Sequence, residues 1–225
     1  SANLSSATLY YANLSFADLS SATLSSATLT GANLTGANLT GAFLDAANLS
    51  DATLYYAALN DANLIGATLT DADLSSATLT GATLANADLN GANLTGSTIS
   101  ESQFLSAASV TGVNLTGHTM GGWDLTGADL TSADLTSATL TGATLTGATL
   151  TGANLHQALL PSAMPSLPVI NGAVVKVVDT LAVSGSVQVD TGGSLSVTSD
   201  TFTAAGVNTQ GGTVVAALHG LDLDE

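Results

Sequence analysis

Residues 1–35 read SANLS, SATLY, YANLS, FADLS, SATLS, SATLT, GANLT, and the five-residue step continues to GANLH (152–156) and QALLP (157–161). A Leu stands at the centre of nearly every unit. A small residue, usually Ala, stands two before it, Asn, Asp or Thr comes between, and Ser, Thr or Gly follows. An apolar residue at every fifth position fits neither an α-helix nor an alternating strand. The chain must therefore turn at regular intervals and keep Leu and Ala on one side. A single unit buries too little to stand alone, so neighbouring units must stack.

The pattern A-[N/D/T]-L-[S/T]-G resembles the pentapeptide-repeat family over residues 1–161. That resemblance implies an all-β fold, a right-handed quadrilateral β-helix in which each pentapeptide forms one side of a square coil and four make a turn. Central positions counted from Leu4 reach Phe104 unbroken in twenty-one units, and a second run from Val110 to Leu160 adds eleven, giving about eight coils. Between the runs the frame slips by one residue near 105–107, which we read as a β-bulge. Residues one coil apart should then stack. The position before the central Leu on every fourth unit reads Asn13, Asn33, Thr53, Asp73, Asn93, Asn114, Asp134, Asn154 across the slip. Matched amide and hydroxyl side chains suit a column that hydrogen-bonds along a parallel ladder.

The five-residue pattern stops at Pro161, Pro165 and Pro168, so 162–168 reads as a Pro-rich linker. From Val169 alternation takes over, with Val183, Val187, Val189, Leu195, Val197 and Phe202 spaced for strands and Ser184-Gly185 and Gly192-Gly193 as turn signals. Residues 169–225 are expected to form a small C-terminal β domain with an acidic tail, or an irregular extension of the solenoid.

Composition narrows the function. Lys176 is the single basic residue against 17 acidic ones, a formal charge of −16, which excludes nucleic-acid binding through phosphates. The absence of Cys excludes disulfides and thiol chemistry. No apolar run is long enough for a membrane-spanning helix. Ser1 already lies inside a repeat with no initiator Met, as after removal of a signal peptide, so the expected location is extracellular or at the cell surface. His118, His156 and His219 are scattered, with no Cys or paired acids at ligand spacing, and no Ser-His-Asp grouping stands out. No catalytic residue and no enzyme activity are expected.

Two groups of residues remain as sites. Asp51 and Asp71 stand one coil apart in one column, where like charges repel unless bridged by a cation. Calcium is the one cofactor this arrangement suggests. Tyr10, Tyr11 and Phe16 lie on the first coil and Tyr55 and Tyr56 two coils later, with Phe16 and Tyr56 in one column, and outward aromatics in a patch mark contact surfaces. The ends of a β-helix carry unpaired strand groups that template further strands. Leu4 and Leu9 at one end and Leu155 and Leu160 at the other complete an interface through which copies would join head to tail into filaments. Two alternatives stand beside this structural role. The resemblance implies one, since some family members are acidic rods that mimic DNA and bind gyrase. The other is ice binding by stacked Thr-x-Thr, for which Thr78-Leu79-Thr80, Thr98-Ile99-Ser100, Thr119-Met120-Gly121 and Thr139-Leu140-Thr141 form the best array.

Overall fold

The computed structural model describes residues 2–161 and, beyond them, the backbone of eight strands: β1 (Ala163–Met164), β2 (Leu167–Val169), β3 (Val174–Val177), β4 (Leu181–Val189), β5 (Ser194–Val197), β6 (Phe202–Thr209), β7 (Thr213–Ala216) and β8 (Leu221–Leu223). The chain divides into two compact units, Ser1–Asn114 and Leu115–Glu225.

In the first unit nearly every pentapeptide places one residue in a parallel bridge with its counterpart on the next coil: Asn3 with Thr23, Thr8 with Thr28, Asn13 with Asn33, Asp18 with Asn38. The backbone explains the five-letter code. In one unit, Leu4 N donates to Thr23 O (2.7 Å), Ser6 N to Ser25 O (2.9 Å), and the bridging Thr23 N returns to Ala2 O (2.9 Å). The fourth N–H closes the corner, Ala7 N to Leu4 O (3.0 Å). The fifth, Ser5 N, donates to the side-chain oxygen of Asn3 (3.1 Å). An Asn or Asp before the central Leu thus satisfies the one amide that neither turn nor ladder reaches, as buried or crowded backbone requires.

The corner imposes the letter that follows. Its second residue is left-handed, φ 55° at Ser6 and 66° at Gly31, the conformation of a β-turn whose third residue favours Gly. Inside, Leu24 through Leu94 and Ala22 through Ala92 form a core whose members are almost all within 2 % of complete burial. Each fully buried Leu contributes about 1.5–3 kcal/mol.

The column predicted from sequence is present: Asn13–Asn33–Thr53–Asp73–Asn93–Asn114 pair successively in the first unit, and Asp134 with Asn154 in the second. Its chemistry differs from the expected ladder. Asn13 and Asn33 turn their oxygens into their own corners, accepting from Ser15 N and Thr35 N. Within the column, Asn93 Nδ2 does reach across to Asp73 Oδ1 (3.1 Å).

The slip is not a bulge. Glu101–Ser106 forms a six-residue helix, α1, with Ser100 as N-cap and Gln103 completing a capping box. Ser followed three residues later by Gln is a helix-start signal, and a helix advances only about 1.5 Å per residue. One side of the coil therefore absorbs an extra residue while Phe104 keeps its core position at 1 % exposure. Side chains mend the interrupted ladder. Gln103 Nε2 donates to Leu79 O and Ala82 O, the Thr98 hydroxyl accepts from Leu79 N (2.7 Å), and Asn90 Oδ1 accepts from Thr111 N (3.1 Å) and from the Ser109 hydroxyl. Pairing resumes one residue out of step, Asp88 with Ser109 and Asn93 with Asn114.

The second unit carries the same coil through Leu125, Leu130, Leu135, Leu140, Leu145, Leu150 and Leu155, all buried. The expected linker holds β1 and the start of β2 instead. Among the described strands β2 pairs with β4 alone, the edge position at which a strand tolerates a residue such as Pro168. Every described strand pair is parallel: β1, β2 and β6 on β4, β8 on β6, and β3–β5–β7 as a second sheet. Partners are nineteen to twenty-one residues apart, from Ala163 and Ala182 through Val174 and Ser194 to Leu181 and Phe202, close to the advance of one pentapeptide coil. The described strands of this region thus form two sheets of parallel strands. Ser184-Gly185 is accordingly no hairpin turn but lies inside β4, where the register shifts between Val183 and Ser186. Gly192-Gly193 and the acidic tail after Leu223 fall outside the described residues.

Candidate interaction surfaces

The corners of the first unit stack into columns, and two of them bound one side of the solenoid. Tyr11 N donates to Thr30 O, Gly31 N to Ser50 O and Asp51 N to Thr70 O, building the column Tyr11–Gly31–Asp51–Asp71. Phe16 N donates to Thr35 O, Gly36 N to Tyr55 O and Tyr56 N to Ser75 O, building Phe16–Gly36–Tyr56–Ser76. The side between them carries Asn13, Asn33, Thr53 and Asp73. Phe16 and Tyr56 therefore share a column, as expected, with Gly36 between them.

Tyr11, Phe16 and Tyr56 all occupy left-handed corners, φ 53°, 58° and 56°. A bulky residue there is strained. They gain little burial in return: Tyr11 and Phe16 are 79 % exposed and Tyr56 60 %, with Tyr10 and Tyr55 also exposed. Glycine on the next coil makes room for the rings of Tyr11 and Phe16, and Ser76 stands above Tyr56. A Cβ at Gly36 would sit 2.6 Å from Phe16 Cε1, and one at Gly31 would collide with Tyr11 in the same way. Tyr55 and Tyr56 meet edge to face, centroids 4.2 Å apart. The hydrogen bond with Tyr56 raises the Tyr55 hydroxyl above the ordinary tyrosine range.

Asp51 and Asp71 occupy the predicted single column. The Asp71 carboxylate leans over Gly91, on the side away from Asp51. Among the described residues no three His, Cys, Asp or Glu are gathered where they could hold a metal ion. His118 and His156 are half-buried on different coils, and His219 falls outside the described residues.

Other carboxylates are tied into corners. Asp18 is held below the ordinary Asp range by hydrogen bonds from Ser20, Asp124 by Thr126 and Asp129 by Thr131. The hydroxyl of the following residue contributes most and its backbone amide, the fifth-amide contact of the repeat, adds to it. Residues 2–161 hold no Lys or Arg to neutralise any carboxylate.

At the first coil Leu4, Leu9 and Leu14 are half-buried, whereas Leu24, Leu29 and Leu34, one coil on, are wholly buried. Leu155 is wholly buried and Leu160 half-buried, so the rung at Leu155 is closed within its own unit. The Thr array is incomplete. Thr119 pairs with Thr139, but the Thr98 hydroxyl is engaged by Leu79 N. No helix among the described residues is long and apolar enough to cross a membrane.

Sequence reasoning missed Gln103 and Asn90, the two amides that mend the slip. Ser100 three residues before Gln103 was the available signal, and for Asn90 there was none. It also missed the exposed apolar residues Phe43, Ile65, Leu105 and Leu159.

The sequence matches the family description "Pentapeptide repeats" in eight copies whose matched stretches run from residue 1 to residue 160. No curated protein matches it. Among solved structures it is similar to HetL, a pentapeptide repeat protein involved in heterocyst differentiation regulation from the cyanobacterium Nostoc sp. strain PCC 7120. The two are 26 % identical over 99 % of this chain and 92 % of that one, with a TM-score of 0.44. It is also similar to a pentapeptide repeat protein of the Arabidopsis thaliana thylakoid lumen, at 28 % identity over 58 % of this chain and 69 % of that one, TM-score 0.30. A plasmid-mediated fluoroquinolone resistance protein matches at 16 % identity over 88 % of this chain and 78 % of that one, TM-score 0.36.

Proposed function

The chain belongs to the pentapeptide-repeat family, and from that membership we propose that it is a non-enzymatic extracellular structural protein whose copies join head to tail through the ends of the solenoid. The observation that carries this reading is the first coil. Leu4, Leu9 and Leu14 remain half-buried at positions that every later coil of the unit buries, and Asn3, Thr8, Asn13 and Asp18 pair with the coil above alone. One further parallel coil, of this chain or of another copy, would complete both the core and the ladder. Another copy offers such edges, since β7 and β8 each pair on one side among the described strands. A contact between unlike ends does not close on itself and propagates as a filament. Scarcity of Lys and Arg removes trypsin-type cleavage sites, which suits an extracellular location. Fractionation of the native cells tests that location, and recovery in the cytoplasm would refute it.

Negative-stain electron microscopy of the purified chain at neutral pH, with and without a chelator, tests the assembly. Unbranched filaments are expected, unaffected by the chelator if no cation bridges Asp51 and Asp71. Leu4→Lys with Leu9→Lys should leave isolated particles, because ammonium groups cannot be buried unpaired at the junction. Filaments of unchanged length from that variant would refute end-to-end stacking.

A further inference from the structure

We infer that the side bounded by the Tyr11 and Phe16 corner columns is a docking surface for a Lys- or Arg-bearing segment of a different protein. Three observations converge. Tyr11, Phe16 and Tyr56 are held outward on left-handed corners where Ser and Gly serve elsewhere in the same columns. Their ring faces are therefore a cost to the fold that folding itself does not explain. Phe16 and Tyr56 are two coils apart, roughly 10 Å at sheet spacing, a span that an extended peptide covers in three residues. The carboxylates on the same side and its border, Asp51, Asp71 and Asp73, have no cationic side chain among residues 2–161 to answer them.

Aromatic faces beside unneutralised carboxylates have one complementary chemistry, a cation that stacks on the ring and pairs with the acid. Arg suits both contacts better than Lys because its guanidinium is planar and weakly hydrated. The whole chain's charge of −16 draws a basic partner toward this side and repels an acidic one. A second copy is a poor occupant, because each chain sets Lys176 alone against 17 acidic residues and offers no Arg. Tyr11 and Phe16 lie on the first coil, but the surface runs along the side of the coils to Tyr56 and its chemistry does not rest on end-to-end assembly.

The test uses fluorescence anisotropy of a labelled peptide of alternating Arg and Gly, titrated with the full chain, and the same peptide with citrulline at every Arg. Phe16→Ser with Tyr56→Ser removes the rings at corners where Ser21, Ser26 and Ser76 already adopt the same φ, and circular dichroism confirms the fold. Binding of the Arg peptide should fall roughly tenfold in that variant. It should fall further with Asp51→Ser and Asp71→Ser, and stay within about twofold for Phe43→Thr, an exposed aromatic on another side. Equal binding by the aromatic double variant would overturn the proposal by reducing the attraction to net charge. So would equal binding of the citrulline peptide, or binding of cellohexaose in place of the Arg peptide, which would make the side a glycan surface.

Discussion

Gln103 sits where the solenoid departs from its own rule, and removing its side chain tests whether the departure is held by one residue. Its Nε2 donates to Leu79 O and to Ala82 O (2.9 Å), and its Oε1 accepts from Ser100 N (2.8 Å). It is 9 % exposed, and among the described residues no buried side-chain nitrogen or oxygen lacks a partner. Gln103→Ala would strand two carbonyls that the helix has separated from the ladder and would undo half of the capping box. A stranded buried polar group costs about 1–3 kcal/mol. The lost cap adds about 1 kcal/mol, and partial access of water to the carbonyls offsets some of the sum. About 3 kcal/mol is expected, local to the coils flanking α1, because a solenoid transmits stability only between neighbours. Hydrogen exchange resolved by segment is the appropriate assay. Protection across residues 79–110 should drop by about two orders of magnitude, while residues 24–60 are unchanged. Ser102→Ala, exposed on the same helix, is the control. Equal protection in Gln103→Ala and Ser102→Ala would show that α1 is held by Phe104 alone and refute the reasoning.

Other consequences follow from the corners and the core. Ala46 is left-handed at φ 55°, so Ala46→Gly relieves about 1–2 kcal/mol of backbone strain against about 0.5–1 kcal/mol of added unfolded-state entropy. A small rise in urea midpoint is expected, and a fall would contradict it. Leu54→Ala empties a fully buried site and should cost about 2–5 kcal/mol, whereas Leu4→Ala, at a half-buried one, should cost clearly less in the same denaturation series. Equal losses would mean that Leu4 is covered in solution. Asp124 and Asp129 titrate below the ordinary Asp value of 3.8. Their contribution is therefore complete above that value and disappears as pH falls through the lowered folded pKa. Asp124→Asn with Asp129→Asn should flatten the melting temperature between pH 4 and 2, and parallel curves for variant and parent would remove these groups from the acid limb.

The coil was legible because its period is a direct image of its geometry. Every fifth residue is apolar because every fifth residue turns inward, and the Asn13 to Asn114 column survived the slip because stacking depends on position within the coil. The slip itself was misread. A one-residue insertion looks alike whether a strand bulges or a side winds into helix, and the decision rested on the Ser100–Gln103 pair. The C-terminal strands were legible as strands but not in their connections. Alternating Val and a Ser-Gly pair fit a hairpin and a bulged parallel strand equally, and only the twenty-residue displacement between partners, as from Val174 to Ser194, separates them. The shared column of Phe16 and Tyr56 was legible, yet the left-handed backbone beneath Tyr11, Phe16 and Tyr56 was not, because φ leaves no trace in side-chain identity once Gly is absent.

That last point bears on what the fold leaves free. Leu at the centre, Ala before it and an amide-capping side chain between them account for the core and for all five backbone donors of a unit. The two corner residues answer only to the turn, which favours Gly and tolerates Ser, Asn and Asp. A corner occupied by Gly or Ser carries no information beyond folding. One occupied by Tyr or Phe on a strained backbone, with most of its ring in water, carries a cost that the turn does not return. Scattered over the columns, such residues would be noise in a tolerant solenoid. Three of them lie instead on the two borders of a single side, within three coils, next to carboxylates without counter-charges. A structure in which folding fixes so much of each repeat makes the positions that disregard folding the ones to read for function.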